Sequence, residues 1–326
     1  MKKKVVITGA NGMVGSAIVK YLHNDYDLIA IDRHNDRIEP FTKSLDGVDF
    51  VFSDILSIND WNRVLGEAFA VIHLAANVHW APKTSEQVAS FYKVNVEGTR
   101  ILIDKCAQYG VKKFLFFSTN DVYPNSDHEI EESEPLVATS IYAKTKLEAE
   151  ISILQKYGTG SLDVLILRPA SIYGEHDRGS MSSLISLCKH GVVPVIGSGE
   201  NVKALLYVKD VAAFVRTYIE SEVVPGVSIA NIASGNYSFV QIISTINDVF
   251  GLNGRLIRLP LFLKDDKVFS KSGMLNKLKV ASESKKVNCG KIERLYGFTS
   301  SYDMKEGLMD SSEYYREFCK VQKSKK

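Results

Sequence analysis

A chain of 326 residues with 45% apolar content is long enough to bury a substantial core, as one large domain or a domain and a half, which excludes a disordered protein. Its 40 Lys and Arg against 38 Asp and Glu leave a formal charge of +2, scattered apart from short clusters at the two ends, so neither a nucleic-acid surface nor an acidic partner is expected. No stretch of about 18 apolar residues predicts a membrane span, and Cys106, Cys188, Cys289 and Cys319 lie far apart without Cys-x-x-Cys or a neighbouring His, which fits a reduced cytoplasm and no metal.

Three lysines precede the first apolar run, but Val5 to Ile7 gives way at once to Thr8 and Gly9, well short of the roughly 7–15 residues of an export core. It is read as a first strand. Short apolar runs follow in order: VVIT at 5–8, LIAID at 28–32, VDFVF at 48–52, AVIHLA at 70–75, FLFFS at 114–118 and LDVLILR at 162–168. Continuous rather than alternating hydrophobicity predicts strands covered on both faces, a parallel sheet flanked by helices. Stretches at helical spacing, such as Val14, Ile18, Val19 and Leu22, lie between them. The expected fold is a doubly wound α/β (Rossmann) sheet. Beyond Arg168-Pro169 the pattern loosens, although KALLYVKDVAAFVRTYI and VSIANIA again read as strand, helix and strand. A Rossmann domain is therefore expected over 1–170 and 203–233, with a smaller, discontinuous substrate lobe over 171–202 and 234–326.

The first strand runs into Thr8-Gly9-Ala10-Asn11-Gly12-Met13-Val14-Gly15. Gly9 and Gly12 permit close approaches that a Cβ would block, Gly15 allows tight helix packing, and the N–H groups from Asn11 to Met13 open a helix that can hold a diphosphate. A glycine-rich turn alone also has a bland reading; the context favours nucleotide binding. Asp32 ends the second strand 17 residues after Gly15, where a carboxylate can accept from both ribose hydroxyls of an adenosine. A 2′-phosphate there would meet a like charge at about 4 Å, a repulsion of about 4 kcal/mol at an effective dielectric near 20, so NAD is expected over NADP. Arg33 and Arg37 act against that preference.

Tyr142 and Lys146 in SIYAKTKLEAE stand four apart, but so do Tyr109 and Lys113 in QYGVKKFLFF, and spacing alone does not choose. In the first pair both residues lie in a helical pattern and share a face; in the second, Tyr109 closes a helix and Lys113 enters a strand.

With TGANGMVG, Asp32, Asp54-Ile55, HLAA at 73–76, VNVEGT at 94–99, STNDVY at 118–123, Tyr142 with Lys146, LRPASIYG at 167–174 and YVKDVA at 207–212, the chain resembles the extended short-chain dehydrogenase/reductase superfamily, in its NAD-dependent sugar epimerase/dehydratase family. The resemblance implies contacts of Asp54 and Ile55 with adenine, Ala75 and Ala76 as the floor beneath the cofactor, and a polar contact near it from Asn95. It implies Tyr142 as the base, Lys146 as the cation that lowers its pKa and holds the nicotinamide ribose, and Thr119 as the partner of the sugar hydroxyl being oxidised. A tyrosine needs a drop of about 3 pKa units, roughly 4 kcal/mol, to act at neutral pH, and an ammonium about 5 Å away with an oxidised nicotinamide can supply it.

Dehydratases of this family carry Asp and Glu after that Thr; here Asn120 and Asp121 follow, and an amide cannot donate a proton as an acid, so 4,6-dehydration is disfavoured. Ser171 replaces a usual Asn, Lys203 replaces a usual diphosphate-gripping Arg, and the Arg-x-Gly-Asp segment is missing, which puts a uridine pocket in doubt. RPASIYGEHDRG and GSGENVKALLYV are similar instead to epimerases of undecaprenyl-diphosphate N-acetylglucosamine. The leading expectation is a C4 epimerase of a nucleotide- or polyprenyl-diphosphate sugar in surface polysaccharide biosynthesis. The alternatives are a reductase of 4-keto nucleotide sugars and a non-catalytic NAD-binding regulator. By the same resemblance a homodimer is expected, pairing through 84–109 and 140–157, with peripheral membrane contact left open.

Overall fold

A computed structural model describes residues 2–33, 45–78, 82–177, 179–264, 278 and 281–321. Arg37 and Arg178 lie outside them. The first half runs β1 (Lys4–Thr8), α1 (Met13–Leu22), β2 (Asp27–Asp32), β3 (Val48–Phe52), α2 (Trp61–Leu65), β4 (Ala68–His73), α3 (Ser85–Tyr92), α4 (Thr99–Gln108) and β5 (Lys113–Phe117). It continues through β6 (Ser126–Ile130), α5 (Ile141–Tyr157) and β7 (Asp163–Pro169). After these come β8 (Ser171–Tyr173), α6 (Ser180–Lys189), β9 (Val192–Ile196), β10 (Val202–Tyr207), α7 (Val208–Glu220), β11 (Gly226–Ile232), β12 (Gly235–Ser238), α8 (Phe239–Phe250), β13 (Arg255–Leu259) and β14 (Lys285–Val287).

Seven strands form one sheet in the order β11-β7-β5-β4-β1-β2-β3, and every pair in it is parallel. The apolar runs are continuous because alternate residues serve two cores. Val5, Ile7, Ala70, Ile72, Leu115 and Leu165 enter the layer beneath α1 and α7, whereas Val6, Val71, Phe114, Phe116 and Ile166 enter the layer beneath α4 and α5. The edge strand β3 departs from this expectation: its apolar residues are half-buried or exposed, since only one neighbour covers it. Because the strands are parallel, their carboxyl ends share one edge. The order reverses between β1 and β4, the crevice where open α/β sheets take their ligands.

A second sheet runs β12-β10-β14-β6, with β8 on β10, and β9 and β13 pair separately. Within 203–233, β10 therefore belongs to this smaller sheet, while α7 lies on α1 and β11 completes the large one. Met181, Ile185, Val195, Leu205, Tyr207, Ile242 and Leu308 form its own core.

Candidate active site

The turn after β1 is tightened by Gly9 and Ala10, whose N–H groups both donate to the Ile31 carbonyl, at 2.8 and 3.2 Å. Gly9 has φ +73°, and a Cβ there would stand 2.8 Å from the Ala75 nitrogen. A Cβ on Gly15 would fall 2.2 Å from the Gly9 carbonyl oxygen. Both positions thus require glycine. Gly12 caps α1 with no side-chain hydrogen bond, so no capping side chain covers the first N–H groups of the helix. Asp32, half-buried at the end of β2, accepts from the Asn11 N–H at 2.8 Å, and burial raises its pKa. Arg33 reaches across to Asn77 Oδ1 at 3.3 Å. Asp54 turns the chain after β3 by accepting from the Leu56 N–H at 2.9 Å, and Ile55 is buried beside Gly98. Ala75 and Ala76 are half-buried in the loop that leaves β4.

A buried hydrogen-bond chain joins this loop to α5. The Ala75 N–H donates to Thr8 Oγ1 at 3.2 Å, and Thr8 lies 2.7 Å from His73 Nδ1. His73 Nε2 lies 2.9 Å from Thr99 Oγ1, which itself donates to the Asn95 carbonyl at 2.7 Å. Since Thr99 spends its proton there, Nε2 of His73 carries the ring proton and Nδ1 accepts from Thr8. The ring is fully buried and neutral, its pKa pushed down to about 3 by burial and by the Lys146 charge.

Asn95 sits in a π-helical turn, Lys93–Gly98, a rare element often found at functional sites. Its amide is wholly buried: Oδ1 accepts from the Asn77 N–H at 2.7 Å, and Nδ2 donates to the Asn77 carbonyl at 3.1 Å and to Thr145 Oγ1 at 2.9 Å. Thr145 donates in turn to the Tyr142 carbonyl at 2.9 Å. With no accessible surface and three hydrogen bonds to Asn77 and Thr145, Asn95 braces the loop after β4 against the helix that carries Tyr142.

Ser140 caps α5 by accepting from the Ala143 N–H at 3.0 Å, which sets Tyr142 in the first turn and Lys146 one turn on. Tyr142 is half-buried; Lys146 is 2% exposed, its ammonium 4.5 Å from the Phe116 ring centre. Burial brings Lys146 down to about 7 against the opposing pull of Glu150. Burial, helped by the Asp121 charge, also raises Tyr142. Tyr109 and Lys113 diverge: the first ends α4, and the second is buried in β5 against Asp163 at 2.9 Å.

Behind Lys146, Glu150 and Arg168 form an ion pair at 2.6 Å, each side chain 1% exposed. Ser118 donates to the same carboxylate, and Arg168 donates to the Tyr123 hydroxyl at 2.6 Å. Sequence reasoning missed this pair. The available signal was a Glu one turn after Lys146 and an Arg closing an apolar strand. Next to Ser118, Thr119 is 7% exposed at the carboxyl end of β5, and its Oγ1 accepts from the Asp121 N–H at 3.1 Å. Asn120 is buried, whereas the Asp121 side chain is 58% exposed and pairs with Lys285 at 3.1 Å. Ser171 on β8 is exposed, and Lys203 on β10 is half-buried. A cleft of about 530 Å³ near these strands is lined by Asp127, Glu200 and Glu283 and by no cation among the described residues. Another, of about 470 Å³, lies at Lys4, Asp27 and Asp49, by the amino ends of the strands and away from the glycine turn.

A parallel doubly wound sheet with a glycine turn at its switch point defines a Rossmann-type dinucleotide-binding fold. The chain belongs to the NAD dependent epimerase/dehydratase family, whose model matches residues 5–233. It is 26% identical over 218 residues, 66% of this chain and 63% of the relative, to N-acetyl-alpha-D-glucosaminyl-diphospho-ditrans,octacis-undecaprenol 4-epimerase of Escherichia coli O157:H7. It is 30% identical over 236 residues, 68% of this chain and 66% of the relative, to the dTDP-D-glucose 4,6-dehydratase of Mus musculus. The matches thus span just under two thirds of these relatives. Among solved structures, MoeE5 in complex with UDP-glucose and NAD superposes with a TM-score of 0.77 at 25% identity, over 96% of this chain and 99% of that one.

Proposed function

We propose that this chain is an NAD-dependent C4 epimerase of a diphosphate-linked sugar, an N-acetylhexosamine on a nucleotide or polyprenyl carrier. The observation that carries the proposal is the set of Thr119, Tyr142 and buried Lys146 at the carboxyl edge of the sheet, beside the glycine turn. The turn fits a dinucleotide. Gly9 and Gly15 let the turn pack against the Ala75 backbone and against itself where a Cβ would collide, the start of α1 has no side-chain cap in the way of a diphosphate, and Asp32 ends β2 where an adenosine ribose would lie. Asp54 and Ile55 lie toward the adenine end, and Ala75 and Ala76 beneath the cofactor. Arg33, held on Asn77, borders the adenosine end.

Bound NAD supplies a positive charge and a reservoir that accepts hydride from C4 and returns it to the other face of the ketone. The residues do the rest. Tyr142 takes the proton of the C4 hydroxyl, Thr119 orients that hydroxyl, and Lys146 holds the nicotinamide ribose and favours the phenolate. The Glu150 carboxylate pulls against the burial that lowers Lys146. Asn120 stands directly after Thr119, and its amide offers no acid for a leaving hydroxyl, which disfavours dehydration. Ser171 and Lys203 line the substrate side, with Lys203 as a point charge for diphosphate.

A homodimer through α4 and α5 is supported by Ile101, Ile151 and Leu154, exposed on those helices at 40%, 45% and 39%. We place the enzyme in the cytoplasm, in surface polysaccharide synthesis. No helix among the described residues is long and apolar enough to cross a membrane. The test is to offer UDP-N-acetylglucosamine and its polyprenyl-diphosphate counterpart separately, without added reductant, and to read the C4 configuration by proton NMR. Conversion of either one supports the proposal. Turnover that stalls until NADH or NADPH is supplied replaces it with a ketoreductase using the same three residues.

A further inference from the structure

Ser118 and Tyr123 bound the segment that carries Thr119, and both side chains end on the same buried ion pair. The Ser118 hydroxyl donates to Glu150 Oε1, and the Tyr123 hydroxyl accepts from Arg168 Nη1 at 2.6 Å. Arg168 closes the ring on the Glu150 carboxylate, at 3.1 and 3.2 Å from Nε and at 2.6 Å from Nη2. Glu150 stands on α5 one turn beyond Lys146 and two beyond Tyr142, so the ring is anchored on the helix that carries both. Ser118, Tyr123, Glu150 and Arg168 are all buried. The Tyr123 hydroxyl donates its own proton to Asn231 Oδ1 at 2.9 Å, and Asn231 Nδ2 donates to the Ile130 carbonyl at 3.2 Å, which ties the ring to β6 of the small sheet.

We propose that Glu150 and Arg168 are positioning residues that clamp both ends of segment 118–123 to α5, and so hold Thr119 in register with Tyr142 and Lys146. The inference rests on the epimerase reading, which needs those three groups around one sugar hydroxyl. A buried ion pair is a costly way to fill space, since apolar side chains of like volume are often as stable or more so. What the pair adds is direction. A carboxylate and a guanidinium hold Ser118 and Tyr123 by charge-assisted hydrogen bonds of set geometry, whereas apolar contacts are non-directional. A misplacement of about 1 Å at a reacting centre can cost about 100-fold in rate, so the clamp acts through the placement of Thr119 and leaves substrate and cofactor affinity alone.

The test compares NAD-loaded wild type with Ser118→Ala, Ser118→Thr, Tyr123→Phe and the double variant Glu150→Met with Arg168→Met, which removes both charges together and leaves neither unpaired. The Ser118 N–H keeps its bond to the Leu167 carbonyl at 2.7 Å, and the Val122 carbonyl keeps the bond from the Val137 N–H at 2.8 Å, so the segment stays folded without the side-chain ties. Two readouts are taken: kcat and KM on whichever of the two sugars the wild type epimerises, and hydrogen exchange of peptides by mass spectrometry. The expected result is a fall in kcat of about tenfold in Ser118→Ala and in Tyr123→Phe and of about 100-fold in the double variant, with KM and NAD affinity within about twofold of wild type. Ser118→Thr, which keeps the hydroxyl, should hold kcat within about twofold. Exchange should quicken over 118–123, where the Asp121 and Tyr123 amides are bonded within the segment, and stay unchanged in β4 and β5. A double variant with kcat within about twofold of wild type overturns the proposal, as does exchange that rises by one factor over the whole sheet, which is a loss of stability and not of position. If the double variant does not fold, the Ser118 and Tyr123 variants decide by the same measures. If the wild type epimerises neither sugar, the epimerase reading falls and exchange alone decides: quickening confined to 118–123 leaves the clamp standing, and unchanged exchange removes it.

Discussion

Replacing Lys146 by Met should make the cofactor-free protein more stable while abolishing its turnover. An ordinary lysine titrates at 10.5 and this one at about 7, because burial disfavours its charge. At about 1.4 kcal/mol per pKa unit, retaining the ammonium costs the folded protein about 4 kcal/mol at pH 7. The stacking on Phe116 returns about 1–2 kcal/mol, so Lys146→Met should gain about 2–4 kcal/mol in urea unfolding at pH 7. The sign with pH follows from proton counts. Between about 7 and 10.5 the unfolded chain holds a proton that the folded protein has released, so wild-type stability rises through that window. The advantage of the Met variant should therefore shrink to under about 1 kcal/mol by pH 10. A Met variant that is less stable than wild type at pH 7, or an advantage that does not change with pH, would refute the account of a charge held at a cost for chemistry.

Tyr142→Phe should lower turnover at least about 100-fold with little change in NAD affinity, whereas Tyr109→Phe should leave turnover intact; equal losses in steady-state assays would contradict the choice between the two pairs. NAD should bind at least about tenfold more tightly than NADP in fluorescence titrations, and Asp32→Ala should narrow that gap; a wild-type preference for NADP would sink the role of Asp32. His73, at about 3 in the folded protein and 6.5 unfolded, gives stability that is complete above 6.5 and is lost as pH falls toward 3. Urea titrations should show wild type losing about 3 kcal/mol from this residue by pH 4, with a shallower acid slope in His73→Gln; equal slopes would mean that His73 is not the buried neutral base.

The large sheet was legible because each of its strands serves two cores, and that leaves a continuous apolar run in the sequence. β6 was not. Its residues Ser126 to His128 carry no hydrophobic signal, and only its backbone pairing with β14 makes it a strand. β10 read as one more Rossmann strand because Leu206 faces the large core while Leu205 faces the small one, a division that periodicity cannot assign to a sheet. The order of motifs already placed Thr119 after a strand and Tyr142 and Lys146 on one helix, as they stand. The partners that set their electrostatics were not legible, since Glu150 and Arg168 meet only when α5 crosses β7, and Lys285 stands on a three-residue strand too short to show a period.

The central claim is that one carbon gives up its hydride and regains it on the other face. It is tested most directly with substrate deuterated at C4 of the sugar, incubated with the protein as purified and without added reductant, with the product read by NMR. The account predicts inverted C4 configuration with the deuterium still on C4 through many turnovers. Deuterium lost to water would require a mechanism that exchanges a C–H proton with solvent, and would contradict it.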